Sequence, residues 1–433
     1  MKVQTPFYYI SYNHPMTNNN KVSITYKRYL VPFILITTLF FLWGFARAIL
    51  DVLNKHFQDS LNISIAQSAL IQVTTYLAYF LMAIPAGLFI NKFGYRKGVV
   101  FGLLLFGIGA LLFIPGGQVG SSYIFYAFLG ALFILGCGLT FLETAANPYS
   151  TELGPRDTAT SRLNLSQTFN GLGSCLAPAI VGGYLFSGGN VTIPYILMGI
   201  VVLVIALVFS RVKLPEIKHQ KVESDEPDNI ESGRIRKLWK HKMFTFGLVA
   251  LLTYEIAEIS INSYFINFTT MPHIIDGVLQ PGMMKPVTAS IWLSAALFIF
   301  MGGRFIGSIV MAFVKAEKVL LFCAAGCVIC MSTIFLGPGK NAIYALMANY
   351  LFEAIMFPTI FSLALRGMGG LTKTASSVLM MTPVGGCFFL LTGYIAEAHM
   401  LLPFVIPFIG YIIIFFFAYT LLFRKGLANI VKE

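Results

Sequence analysis

Apolar runs of about 20 residues recur from Tyr29 to Phe423, and twelve can be counted along the chain. A run of that length crosses a bilayer as a helix, and the short spacers between runs leave no room for a folded domain outside the membrane. Composition agrees. The 433 residues are 57% hydrophobic and only 11% charged, whereas soluble domains run near 45–50% apolar and about 25% charged. The expected fold is an all-α membrane protein with twelve transmembrane helices.

The formal charge of +12 is a statement about topology rather than about nucleic acid. Lys27, Arg28, Lys92, Arg96, Lys97, Arg156, Arg162, Lys315, Lys318, Arg366, Lys373, Arg424 and Lys425 gather at alternate ends of the runs, and the opposite loops hold little beyond Lys55, Lys285 and Lys340. By the positive-inside rule both termini are cytoplasmic. All six cysteines lie in or beside apolar runs, which argues against a disulfide framework. Cys323, Cys327 and Cys330 share a helix face without an accompanying His or carboxylate, so they read as small packing residues and not as a metal site.

Five regions follow. Residues 1–28 are polar and read as disordered, with no apolar core to make a cleavable signal peptide. Residues 29–211 form a first six-helix bundle and 243–424 a second, with a cytoplasmic tail at 425–433. The charged stretch 212–242 between them reads as a cytoplasmic linker, with a short amphipathic helix at Ile235 to Trp239 on the membrane surface. The halves look like copies. An offset of 210 residues carries Glu143 onto Glu353, Pro148 onto Pro358 and Gly183-Tyr184 onto Gly393-Tyr394, and an offset of 211 carries Ala46-Arg47 onto Ala257-Glu258. Two pseudo-symmetric bundles around a midplane site are the architecture of many transporters.

Polar groups inside the spans mark that site. A charged group at the bilayer centre costs roughly 2.5–3.5 kcal/mol on insertion scales, so it faces protein or a water-filled cavity. Trp43, Arg47 and Asp51 form one stripe of helix 1, and Gln72, Tyr76 and Tyr79 form another on helix 2. Helix 4 carries Glu143 and Asn147, helix 5 carries Asn164, Gln167 and Asn170, and helix 7 carries Glu255, Glu258 and Asn262. Each has a plainer alternative role. Glu143, Gln167 and Asn170 could hydrogen-bond between helices, Asn147 could relieve the backbone beside Pro148, and Arg304 could snorkel or brace a loop. Tyr184, Tyr394 and Glu397 carry no assigned role.

Several stretches resemble a known group. The loop with Gly87, Asn91, Lys92, Gly94, Arg96 and Lys97 is similar to the signature of the major facilitator superfamily. FLWGFA (41–46), LETAANPY (142–149), LGP (153–155), RLNLSQTFNGLG (162–173) and FPTIFSL (357–363) resemble its fucose:proton symporter family, which includes the L-fucose permease and the glucose/galactose transporters. The resemblance implies the major facilitator fold in a bacterial inner membrane and proton-coupled sugar transport. It makes Asp51 and Glu143 the protonatable pair, and Gln167 and Asn170 the ligands of sugar hydroxyls, with which neutral amides pair as donor and acceptor. A buried carboxyl can load and release a proton near ambient pH.

The departures from the family are Arg47-Ala48 and Leu50, where Asn residues are usual, the additional acid among Glu255 and Glu258, Glu353 in an uncharged position, and Thr374 in place of Tyr. L-Fucose is therefore not the default substrate. A guanidinium one turn from Asp51 favours the charged carboxylate, which leaves proton carrying to Glu143 and makes Arg47, Glu255, Glu258 and Glu353 a candidate charge switch between the halves. The expected protein is thus a monomeric, proton-driven monosaccharide symporter in contact with lipid, protons and sugar, using no cofactor or metal and binding no nucleic acid. Asn147, Gln72, Tyr76 and Trp43 join the candidate sugar-contact residues. Import of a charged or N-acetylated sugar, or a membrane enzyme acting on lipid-linked sugar, are the competing readings; no nucleotide loop, metal-ligand spacing or His/Asp cluster supports the enzyme.

Overall fold

The structure, a computed structural model, describes residues 25–116, 123–155, 159–212, 237–275, 278–368 and 371–430. The expectations for residues 1–24, for most of the linker including Ile235, for Arg156 and Asp157, and for the side chains of Asn91, Asn164 and Thr374 lie outside the described residues. Twelve helices follow in order. They are α1 (Leu30–Leu61), α2 (Ile65–Ser68 running on as Leu70–Phe93), α3 (Tyr95–Leu111), α4 (Ile124–Glu152), α5 (Ala159–Ala177, continued by Pro178–Gly182 and Gly183–Phe186) and α6 (Thr192–Arg211). The second half holds α7 (Lys242–Thr270), α8 (Pro286–Phe313), α9 (Ala316–Ile334), α10 (Lys340–Glu353 and Met356–Leu365), α11 (Thr372–Leu379, Thr382–Phe388 and Phe389–Ala398) and α12 (Val405–Ile430).

Helix packing repeats between the halves. α1 lies along α5, α2 along α4, and α3 against α4 and α6; correspondingly α7 lies along α11, α8 along α10, and α9 against α10 and α12. The halves meet through α1 with α7, α2 with α11, and α5 with α8, three contacts that a two-fold axis would relate. Glycine makes the tightest of the intra-half contacts possible. A Cβ on Gly44 would collide with the backbone carbonyl of Asn170, and one on Gly173 with that of Phe41. The FLWGFA and LNLSQTFNGLG stretches thus owe part of their residue choice to the approach of two backbones.

In hydrocarbon each helix must settle its own polar groups. The hydroxyls of Thr75, Thr140, Thr144 and Thr359 donate to the carbonyl one turn back, at 2.6–2.9 Å. Pro358 cannot donate to the Ala354 carbonyl, and α10 breaks there. Arg304 of α8 fills the vacancy, its Nε donating to that oxygen at 3.2 Å, so it braces a helix and not a loop. Arg162 is fully buried and donates to the carbonyls of Ser150 (3.1 Å) and Pro155 (2.9 Å), closing the end of α4. Arg96 does the same at the end of α6, through the Phe209 and Ser210 carbonyls. Two of these cations, Arg96 and Arg162, counted above as topology signals, are also helix caps.

Three features are not visible in the apolar runs. α1 runs on to Leu61, because nothing disfavours the helix before Asn62, which takes a left-handed φ of 53°. The α7–α8 connection forms an antiparallel hairpin, His273–Ile275 with Val278–Gln280; the Asp276-Gly277 pair in the sequence between two short β-branched stretches is its signal. α11 is not continuous, as Pro383 with Gly385 and Gly386 interrupts it. Replacing Gly44 by Ala should lower the detergent melting midpoint by about 3 °C or more, since overpacking costs ~1–3 kcal/mol. Gly130→Ala, where a Cβ meets nothing within 4 Å, should leave the midpoint in place in the same assay.

Candidate functional site

The stripes on α1 and α2 face α7 across the boundary between the halves. Asp51 is wired into three helices. Its Oδ1 accepts from Ser263 Oγ of α7 at 2.7 Å and from Gln72 Nε2 of α2 at 3.2 Å, and Gln72 Nε2 also donates to Ser263 Oγ at 2.7 Å. The amide of Gln72 is spent on this triad, and the residue is 1% exposed. One turn back along α1, Arg47 donates through Nε to Tyr76 Oη at 3.1 Å and lies 4.0 Å from Glu255 Oε2. The guanidinium therefore engages α2 and α7, not Asp51. Its side chain keeps 37% exposure against 5% for Glu255, which puts the pair at the edge of open space between the bundles.

Glu143 and Glu258 lie within Coulombic reach of the same cation. Unlike Asp51, Glu143 has no hydrogen bond to any described residue and is only half-buried. Asn147 and Gln167 face each other loosely, Nε2 to Oδ1 at 3.4 Å. Asn170 splits its roles: its Nδ2 donates to the Phe40 carbonyl at 3.2 Å, a helix-packing contact, and Ser174 beside it bonds the Gly44 carbonyl. Asn147, Gln167 and Asn170 are half-buried, whereas Trp43 and Tyr76 are 5% and 4% exposed and packed in protein.

Glu353 stands apart from this group. It is fully buried inside the second half, where its Oε2 accepts from Tyr411 Oη at 2.5 Å and from Asn349 Nδ2 at 2.9 Å. Asn349 and Tyr411 of this cluster, and Ser263 of the Asp51 triad, escaped the reading of the sequence. For Ser263 a signal existed, since the 211-residue offset carries Asp51 to Asn262, its immediate neighbour.

Polar residues set at the boundary between two six-helix halves are the plan of a membrane carrier, and residues 36–390 match the Major Facilitator Superfamily. The chain belongs to that superfamily, whose members are transporters and not enzymes. Within it, the chain is 36% identical over 395 residues to the glucose/galactose transporter of Brucella abortus biovar 1 (strain 9-941), covering 88% of this chain and 92% of that one. It is 31% identical over 421 residues to the L-fucose-proton symporter of Escherichia coli (strain K12), covering 90% and 93%. A crystal structure of the E. coli fucose:proton symporter superposes with a TM-score of 0.66 at 30% identity, over 90% of this chain and 98% of that one.

If Ser263 works through Asp51, Ser263→Ala and Asp51→Asn should each reduce uptake into cells. The double variant should be no worse than Asp51→Asn alone. Losses that simply add would place the action of Ser263 elsewhere.

Proposed function

We propose that the protein is a proton-coupled symporter of a neutral monosaccharide, a hexose or related sugar, alternating its access across a bacterial inner membrane with both termini in the cytoplasm. It acts as a monomer in lipid and needs no cofactor beyond the proton gradient. The relatives named above supply the substrate class, and the concentration of lysine and arginine on the face of the termini supports the orientation. One observation carries the coupling. Four carboxyls, of Asp51, Glu143, Glu255 and Glu258, lie within Coulombic reach of one another or of the Arg47 guanidinium, and Arg304 adds a second positive charge near Glu255. Acids outnumber cations here, and unpaired negative charge at membrane depth is costly, which favours uptake of a proton by the set.

The roles follow from the wiring. Asp51 and Arg47 each hold α7 to the first half, so a change in either charge alters how firmly the bundles stay together. Glu143, half-buried and without a hydrogen bond to any described residue, is the acid placed to exchange a proton with solvent and sugar. Asn147, Gln167 and the Oδ1 of Asn170 offer donors and acceptors to hydroxyls on the same side. Because Arg47 is already answered by Glu255 and Glu258, it does not call for an anionic sugar.

Replacing Glu143 by Gln should abolish sugar-induced pH change and accumulation in vesicles while sparing sugar exchange; a normal pH change in that variant would refute the assignment. Labelled uptake should be competed by glucose, galactose or a related neutral hexose and not by glucuronate. Competition by glucuronate alone would transfer the protein to the charged-sugar class.

A further inference from the structure

The contacts that cross between the halves lie from mid-membrane towards the face opposite the chain termini. α11 meets the first turn of α2 there, and a Cβ on Gly393 would stand 2.9 Å from the Ala66 Cα. The symmetry-related place is α5 against the start of α8, where a Cβ on Gly182 would stand 2.6 Å from the Ser290 Cβ. These two seams close the far face, and they are fastened differently. On the α5–α8 side, Ser294 Oγ accepts from the Ala179 N–H at 2.8 Å and donates to the Cys175 carbonyl at 2.5 Å, a neutral link. On the α2–α11 side the acceptor is an exposed carboxylate: Glu397 Oε1 accepts from the Ala66 N–H at 2.9 Å.

We propose that Glu397 is the tie of the outer gate, a positioning residue that holds the far face shut and lets go when that face opens. Its own helix gives it no reason to be there. Glu397 lies in the last turn of α11, where an acid opposes the helix dipole and a basic residue is favoured. The same carboxylate sits well for α2. At the start of α2, Ser64 and Gln67 form a reciprocal capping box that satisfies the N–H groups of Ser64 and Gln67. The Ala66 N–H is left over, on a residue only 4% exposed, and receives its acceptor from the other bundle. An unmet donor in one half and a misplaced anion in the other satisfy each other only while the seam is closed. When the seam parts, water replaces both partners.

The purpose of this tie rests on the transport reading, but its test needs no substrate. The reporter is Ser290→Cys, at a fully buried position inside the α5–α8 seam. Its labelling by a maleimide is followed in purified full-length protein by peptide mapping at position 290. Adding Glu397→Ala should speed labelling about fivefold, the size expected for losing an ordinary hydrogen bond with one exposed partner, with Glu397→Gln in between and the melting midpoint unchanged. Gly393→Ala, which forces the same seam apart by bulk, should speed it as well. Acceleration by Gly393→Ala but not by Glu397→Ala would overturn the proposal, because the seam would then be held by packing alone. No acceleration by either would overturn it too, since this face would not part. A failure of sugar-induced pH change with the labelling result intact would count against the symport reading and leave the gate standing.

Discussion

Hydrocarbon offers a polar group nothing to bind, and most of this structure answers that single restriction. The answer is local where it can be, in hydroxyls that turn back on their own helix. Where a proline or a helix end exposes a carbonyl, a guanidinium from another helix reaches it, as Arg162 does for Ser150 and Pro155. What cannot be settled inside one bundle is pushed to the boundary between the two. There Asp51, Gln72 and Ser263 share hydrogen bonds, and Arg47 stands between Tyr76 and Glu255.

That boundary is also where the protein has to come apart. Interactions strong enough to hide charge from lipid are strong enough to hold the bundles together, so the carrier needs them to be conditional. Binding a proton or a sugar is a small chemical change, yet at this depth it decides whether a carboxylate still needs its partner in the other half. The asymmetry among the acids suits this. Asp51 is engaged and Glu143 has no hydrogen bond to a described residue, which under the proposed function lets one hold while the other loads.

Much of this was readable in the residues. Span number, the repeat and the stripe of Arg47 and Asp51 follow from periodicity and from the cost of charge in lipid, and the resemblance of LETAANPY and LNLSQTFN pointed to α4 and α5. Cross-helix partnership was not readable. Arg47 and Asp51 share a helix face, which suggests that they pair, but α7 competes for both and wins. Glu353 falls at the repeat position of Glu143, yet Tyr411 and Asn349 draw it into the core of the second bundle, away from Arg47. Asn170 looked like a sugar ligand, and half of its amide serves the Phe40 carbonyl. The break in α10 falls one turn before Pro358 and that in α11 at Pro383, prolines visible as residues but not as bends until the neighbouring helices are in place.

The link from Arg304 to the Ala354 carbonyl has a mechanical corollary. It pins α8 to the elbow of α10, so when the second bundle tilts those two helices have to travel as one rigid strut. Whatever flexing the tilt demands is left to the other rods of that bundle, above all to α11, which is already jointed in two places.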